Sequence, residues 1–229
     1  MNTPIYVLIN THSGNQDKTT LAEKISATLH ATGRQVELIP LESDGDINQT
    51  CLETVLKAKE DGALVVAVGG DGTINTVAAL CHTHKVVMAV IPMGTFNYFA
   101  RELGMDNVDQ ALDAITHGTV STVPAGFVQD NIFLNNACIG IYTYIIRNRE
   151  RHKSLFGRMR IVAALSAILT MFKGLQPFTV NMTIDGKKIV RKTNLVFVGN
   201  SMVQLKNLGF EVEERTFKQK LALIILKPV

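Results

Sequence analysis

The sequence predicts an α/β fold, with an N-terminal doubly wound, mainly parallel sheet and a second, mainly antiparallel β domain. Two observations predict this. Through about residue 120, short apolar runs alternate with segments of helical periodicity, which is typical of a parallel sheet with crossover helices. Beyond that point, strand-like pieces follow one another across Asn, Asp and Gly turns. We therefore expect domains at 1–120 and 121–229, the second incomplete at its C-terminal end.

Four apolar runs are the predicted parallel strands of the first domain, and turn residues bound each of them. In chain order they read IYVLI, QVELIPL, ALVVAVGG and KVVMAVIPMG. The segments between them have helical spacing, with apolar positions at Leu21, Ile25 and Leu29 and then at Ile47, Cys51, Val55 and Leu56. GTINTVAALCHTH and MDNVDQALDAITHG are predicted to be further helices.

The second half of the chain contains three strand-rich stretches, TVPAGFVQDNIFLNNACIGIY, PFTVNMTIDGKKIVRKTNLVFVGNS and KLALIILKPV. Turns are predicted at 129–131 and 185–187, and one helical segment interrupts the strands.

Composition excludes several classes of protein. With 46% hydrophobic and 19% charged residues, the 229-residue chain reads as an ordinary soluble globular protein. A net charge of +3 is too small to indicate nucleic-acid binding. Three widely spaced cysteines support neither a disulfide framework nor a zinc site, and no apolar stretch is long enough to span a membrane. We expect a cytoplasmic protein, and the sequence leaves its oligomeric state open.

The sequence GGDGT follows the third predicted strand and precedes a helix that we expect to open at Ile74. Backbone N–H groups and the positive helix end would then face one point, as in a phosphate site. Asp71 could bind Mg²⁺ or a hydroxyl beside the phosphates. A tight strand-to-helix turn without a ligand is the alternative for any one such loop.

Two other predicted strands end in similar loops, NTHSG and PMGTFN, at the same edge of the sheet. Three such loops favour a phosphate site over three unrelated turns. Hydroxyl and amide groups suited to phosphate or ribose oxygens occur at Ser13, Thr73, Thr95, Asn10, Asn75 and Asn97. Neither Gly-Lys-Ser/Thr nor Gly-x-Gly-x-x-Gly occurs, which disfavours the commonest nucleotide folds.

These motifs, together with FLNNACIGIYTYIIRNRER, FGRMRIVAAL and LVFVGNS, resemble the diacylglycerol kinase catalytic-domain family, and within it bacterial lipid kinases. The family is similar to sphingosine kinases and, more distantly, to NAD kinases. The resemblance implies ATP and Mg²⁺ as cofactors, an ATP site between the domains and a lipid acceptor approaching from the second domain. The nucleotide contacts it implies are Asn10, Thr11, His12, Ser13, Gly14, Gly69, Gly70, Asp71, Gly72, Thr73, Ile74, Asn75, Gly94, Thr95 and Asn97.

Three departures from the family pattern stand out. Tyr98 occupies a position usually held by aspartate, and Lys218 and Gln219 stand where a structural Mg²⁺ site would need an Asp-Gly pair, so no dedicated metal site is expected. The Asp-Gly-Glu segment that supplies the family's general base is not found, since Asp185-Gly186-Lys187 reads as a hairpin turn. We therefore expect a fragment or a short form, of doubtful activity.

A basic segment precedes an apolar one between residues 147 and 169. Its arginines are Arg147, Arg149, Arg151, Arg158 and Arg160. They would suit peripheral binding to the inner face of an anionic membrane, although a solvated helix face is the alternative. The leading hypothesis is thus an ATP-dependent lipid kinase. A kinase of a small soluble acceptor and a non-catalytic nucleotide-binding protein are the two rival hypotheses.

Overall fold

A computed structural model of the protein describes residues 3–11, 18–42, 45–140, 177–211, 213 and 220–227. They belong to two compact units, Met1–Asn135 and Asn136–Val229. The strands of the first unit are β1 (Ile5–Asn10), β2 (Val36–Leu41), β3 (Leu64–Gly69), β4 (Met88–Pro92), β5 (Gly126–Val128) and β6 (Asn131–Phe133). Its helices are α1 (Lys18–His30), α2 (Ile47–Asp61), α3 (Asp71–His84), α4 (Tyr98–Glu102) and α5 (Val108–His117).

The central sheet of the first unit is parallel, with strand order β2-β1-β3-β4. Val7 of β1 pairs with Leu38 on one side and with Val66 on the other. Strands β1 and β3 are buried along almost their whole length, which explains why both read as continuous apolar runs. The predicted α/β class with a parallel sheet is confirmed.

The helices form two pairs, with α2 packed on α3 and α1 on α5. The chain places β2 on one side of β1, and it then places β3 and β4 on the other side of β1. Because crossovers between parallel strands are right-handed, this reversal puts α1 and α2 on opposite faces of the sheet. The doubly wound arrangement is confirmed.

The buried helix faces agree with the predicted periodicity except at one position. Leu21, Ile25 and Leu29 of α1 are buried, as are Cys51 and Val55 of α2. Leu56, by contrast, is 39% exposed, so its inclusion in the apolar face was wrong. Adjacent residues on a helix point about 100° apart, and the buried stripe of α2 continues through Ala58 instead.

The hairpin of β5 and β6 turns at Gln129, whose φ is 53°. In the second unit, β7 (Asn136–Gly140), β10 (Leu195–Gly199) and β11 (Ala222–Ile225) form an antiparallel sheet of order β11-β10-β7. Strands β8 (Phe178–Ile184) and β9 (Lys187–Thr193) form a hairpin that turns at Asp185 and Gly186. The predicted antiparallel character and both predicted turns are confirmed.

Two short helices were not predicted. One is α4, within the loop after β4, and the other is α6 (Met202–Asn207), whose first turn is capped by the Ser201 side chain. They are five and six residues long, which is too short to show a helical period in the sequence.

The exposure difference between two leucines gives a stability prediction. Leu29 is fully buried in α1, whereas Leu56 in α2 is 39% exposed. We expect Leu29→Ala to lower the free energy of unfolding by about 2–5 kcal/mol, since it leaves a cavity. Leu56→Ala should cost less than about 1 kcal/mol. Urea unfolding followed by circular dichroism measures both, and equal losses would contradict the buried face described above.

The buried thiols give a pH prediction. Burial raises the pKa of Cys51 to about 11, and burial together with neighbouring Cys51 raises the pKa of Cys81 to about 12. Unfolded thiols ionise near pH 8.5, so above that pH the unfolded state binds fewer protons and stability falls. The contribution of the two buried thiols to the free energy of unfolding is fully present below about pH 8.5. It is lost as the pH rises through the folded-state pKa values.

Unfolding free energies between pH 8 and 10.5 test this. We expect a decline in the wild-type protein and a shallower decline in the Cys51→Ala/Cys81→Ala variant, which lacks both thiols. Parallel declines in the two proteins would show that the thiols do not contribute.

Candidate active site

The order of the parallel strands places a crevice at the ends of β1 and β3. These strands are neighbours, but the chain leaves them in opposite directions, toward β2 on one side and β4 on the other. In open α/β sheets, ligands bind outside the carboxyl ends of the strands at such a switch point. Asn10 ends β1 and Gly69 ends β3, so two of the three predicted loops begin at this point.

Helix α3 starts at Asp71, three residues earlier than predicted. Gly70 is its N-cap, with extended backbone at φ −85° and ψ 178°, and no side chain caps the helix. Asp71, Gly72 and Thr73 therefore belong to the first turn and not to a loop. The first N–H groups of an α-helix have no intrahelical partner, so they and the helix dipole are directed out of this end.

Glycines allow the loops after β3 and β4 to approach each other closely. A Cβ on Gly94 would lie 2.7 Å from the Cα of Gly70, and a Cβ on Gly69 would lie 2.8 Å from the Cβ of Thr73. Neither position can accept a side chain without movement. A Cβ on Gly72, in contrast, would meet nothing within 4 Å, so the space over the first turn of α3 is open.

Side chains from β1 and α3 meet across the switch point. The Asn10 side-chain amide donates to the Thr73 hydroxyl oxygen at 2.7 Å. Thr11 is directed elsewhere, since its hydroxyl donates to the Leu41 carbonyl oxygen at 3.2 Å. Two predicted contacts, Asn10 and Thr73, are thus brought together.

Asp71 connects three segments of the first unit. Its Oδ1 accepts from the Asn135 side-chain amide at 2.9 Å and from the Phe99 backbone N–H at 3.3 Å. Neither partner was among the predicted site residues. FLNNACIG is one of the motifs that carry the family resemblance, but an asparagine between two short strands gives no local sign that it contacts the GGDGT sequence.

Two predicted ligand amides hold the protein's own backbone. Asn97, in the left-handed conformation at φ 50°, accepts from the Gly94 N–H at 2.7 Å and donates to the Gly94 carbonyl at 2.9 Å. Asn75 accepts from the Leu134 N–H at 3.0 Å and has a longer contact of 3.4 Å to the Ile132 carbonyl. These two amides therefore hold the loops around the site in place through backbone hydrogen bonds.

The remaining predicted residues are distributed differently. Thr95 is exposed, whereas the side chain of Ile74 is fully buried in the core, which leaves only its backbone near the site. Tyr98 is 7% exposed and stacks on Phe96, with ring centroids 5.3 Å apart. The predicted residues outside the described part of the chain are His12, Ser13, Gly14, Arg147, Arg149, Arg151, Arg158, Arg160, Lys218 and Gln219.

An open groove begins one helical turn beyond Gly72. Asn75 and Thr76 line it from α3, residues of the first turns of α2 line it as well, and Asn131 and Ile132 complete the lining. Its lining combines amide side chains with the Asp46 carboxylate, the Thr76 hydroxyl and aliphatic groups. Nowhere in the described ranges do three His, Cys, Asp or Glu side chains cluster as metal ligands would. None of the described helices is long and apolar enough to cross a membrane.

The sequence is similar to known proteins over most of its length. It is 26% identical over 214 residues to a Staphylococcus aureus (strain MRSA252) protein provisionally named a lipid kinase, covering 86% of this chain and 68% of that protein. A solved structure described as a diacylglycerol kinase from Bacillus anthracis str. Sterne superposes with a TM-score of 0.66 at 28% identity. That match covers 86% of this chain and 64% of the other, so the chain spans about two thirds of these relatives' length.

The diacylglycerol kinase catalytic domain matches residues 4–128, which is more than half of the 229 residues and includes the whole parallel sheet with its glycine-bearing loops. This chain therefore belongs to the diacylglycerol kinase catalytic domain family.

Proposed function

We propose that this protein binds ATP with its phosphates over the first turn of α3 and transfers the γ-phosphoryl group to the hydroxyl of a diacylglycerol-like lipid. The observation that carries the proposal is the uncapped start of α3 at the switch point of the sheet, with open space at Gly72. Backbone N–H groups and the helix dipole stabilise phosphate charge at such an end.

The polar groups around this point suit a triphosphate. The Asn10 amide already occupies a lone pair of the Thr73 hydroxyl oxygen, which orients the hydroxyl proton away from Asn10 and leaves it available to a phosphate oxygen. The groove between α2 and α3 would place the side-chain amides of Asn48 and Asn131 beside the nucleoside.

Asp71 is the carboxylate we assign to Mg²⁺ or to the acceptor hydroxyl. Its Oδ1 is held by two donors, while no described residue bonds Oδ2. Magnesium is commonly bound by one or two carboxylates together with substrate phosphates, so a single free carboxylate oxygen fits an ion that arrives with ATP. The ion would neutralise charge on the phosphates during transfer.

The transfer itself exchanges one P–O bond for another. The acceptor oxygen bonds to the γ-phosphorus, the bond to the bridging oxygen of ADP breaks, and the hydroxyl proton passes to solvent water, since no described residue is assigned as a base. Much of the catalysis in such a reaction is positioning and electrostatic stabilisation, which are what the α3 terminus and Asp71 provide.

The lipid acceptor is supported by the names of the relatives and by the basic segment of the sequence. We propose that the predicted domain 1–120 carries the nucleotide and that 121–229 carries the acceptor. Arg147 to Arg160 would bring the protein to an anionic membrane surface, where each basic residue contributes about 1 kcal/mol.

A substitution at Gly72 tests the phosphate position. Because a Cβ there meets no atom within 4 Å beyond the adjacent residues and backbone of its own helix, Gly72→Ala should fold normally, with stability unchanged or raised by up to about 1 kcal/mol. The methyl group would occupy the phosphate space, so ATP affinity measured by calorimetry should fall at least about tenfold.

Gly45→Ala is the matched control, because its Cβ would make only an ordinary 3.7 Å contact with the Glu42 carbonyl, outside the loops of the site. Unchanged ATP affinity in Gly72→Ala would place the phosphates elsewhere.

The function is tested by ATP binding in the presence of Mg²⁺ and by transfer of γ-labelled phosphate to mixed membrane lipids. We expect binding and transfer in the wild-type protein, and at least about a hundredfold less transfer in Asp71→Asn, which keeps the side-chain shape but loses the charge. Binding without transfer to any lipid would favour a nucleotide-binding protein. Transfer to soluble alcohols alone would favour a soluble acceptor, and folded protein that binds no nucleotide would refute the site.

A further inference from the structure

The two oxygens of the Asp71 carboxylate have different surroundings. Oδ1 accepts from the Asn135 Nδ2 group at 2.9 Å and from the Phe99 N–H at 3.3 Å. Within the described part of the chain, Oδ2 has no hydrogen-bond partner. The contact with Asn135 therefore distinguishes one oxygen from the other.

The orientation of the Asn135 side chain leaves one of its polar atoms without a hydrogen-bond donor. A carboxylate can only accept, so the amide NH₂ must face Asp71 and the amide oxygen must point away. That Oδ1 atom is buried and accepts no hydrogen bond from any described residue. A buried carbonyl without a donor is unfavourable, and an apolar side chain of similar size would avoid it. The contact with Asp71 accounts for an asparagine at this position.

The backbone that carries Asn135 is fixed by the same helix. Leu134 is buried, and its N–H donates to the Asn75 side chain at 3.0 Å. Asn75 and Asp71 are four residues apart on α3, so they share one helix face. Asn75 thus holds the segment that places the Asn135 side chain against Asp71.

We propose that Asn135 is a positioning residue that holds Asp71 through Oδ1 so that Oδ2 meets the magnesium-bound nucleotide. The inference rests on the proposed function and deepens it by naming the group that selects the reactive oxygen. Asn135 itself touches neither the nucleotide nor the ion; it acts through Asp71.

Asn135→Ala tests the role by removing the donor together with the unsatisfied carbonyl. Its melting temperature should stay close to that of the wild type, because a stabilising contact and an unfavourable group are lost together. Magnesium-dependent ATP affinity, measured by calorimetry, should fall about tenfold. The matched control is Asn136→Ala, whose side chain bonds to Gln204 at 2.9 Å and not to Asp71; it should keep wild-type affinity even where it loses stability.

Asn135→Asp adds a readout that a purely structural role would not change. Two carboxylates at hydrogen-bond distance share a proton, and the positive charge of an ion bound at Oδ2 favours release of that proton. Calorimetry near pH 6.5 in buffers of different ionisation enthalpy should therefore show proton release on Mg-ATP binding that exceeds that of the wild-type protein and of Asn136→Asp.

The outcomes separate the two proposals. Wild-type binding with lowered affinity in Asn135→Ala and added proton release in Asn135→Asp supports the positioning role. Wild-type binding with neither change overturns that role alone. If the folded wild-type protein binds no Mg-ATP, the proposed function fails and the positioning role fails with it.

Discussion

The close approach of two glycine backbones, at Gly70 and Gly94, is the constraint on which the candidate site depends. A Cβ on Gly94 would lie 2.7 Å from the Gly70 Cα, so the two loops can approach this closely only with glycine at position 94; a Cβ on Gly70 would make a tight contact of 3.3 Å with the Gly94 Cα. Their contact brings the end of β4 to the start of α3. It also places α4 close enough for the Phe99 N–H to reach Asp71. The Phe99 N–H is one of the two donors to this carboxylate, so the contact between the loops and the position of Asp71 are connected through α4.

The polar groups of this region divide into two sets. One set faces inward and builds the loops: Asn97 closes the turn at Gly94, and Asn75 ties α3 to the segment before β7. The other set, at Asn10, Thr73 and Asp71, lies at the switch point itself. Amides suit both purposes, because each offers a donor and an acceptor. A ligand-binding amide and a loop-building amide are therefore indistinguishable in the sequence.

Asp71 illustrates how one side chain can serve both purposes. Oδ1 links α3 to α4 and to the segment that carries Asn135, so the carboxylate stabilises the fold of the first unit. Oδ2 has no such bond within the described residues and is the oxygen that the proposed function assigns to the magnesium-bound nucleotide. This division keeps the negative charge in place at the positive end of α3, where it is favourable, without using the whole carboxylate for structure.

The sequence by itself determined the fold class, the alternation of strands and helices and the position of the glycine-bearing loops, because each follows from local periodicity and from residues with special backbone freedom. The sequence did not predict the short helices α4 and α6, the start of α3 at Asp71 or the exposure of Leu56. Packing against neighbouring elements decides these features. Only the tertiary structure decided the strand order β2-β1-β3-β4 and the partners of Asp71. Asn135 lies 64 positions from Asp71 along the chain, and no local pattern reports a contact at that separation. Their meeting depends on how the sheet and the loops pack, which is a property of the whole first unit.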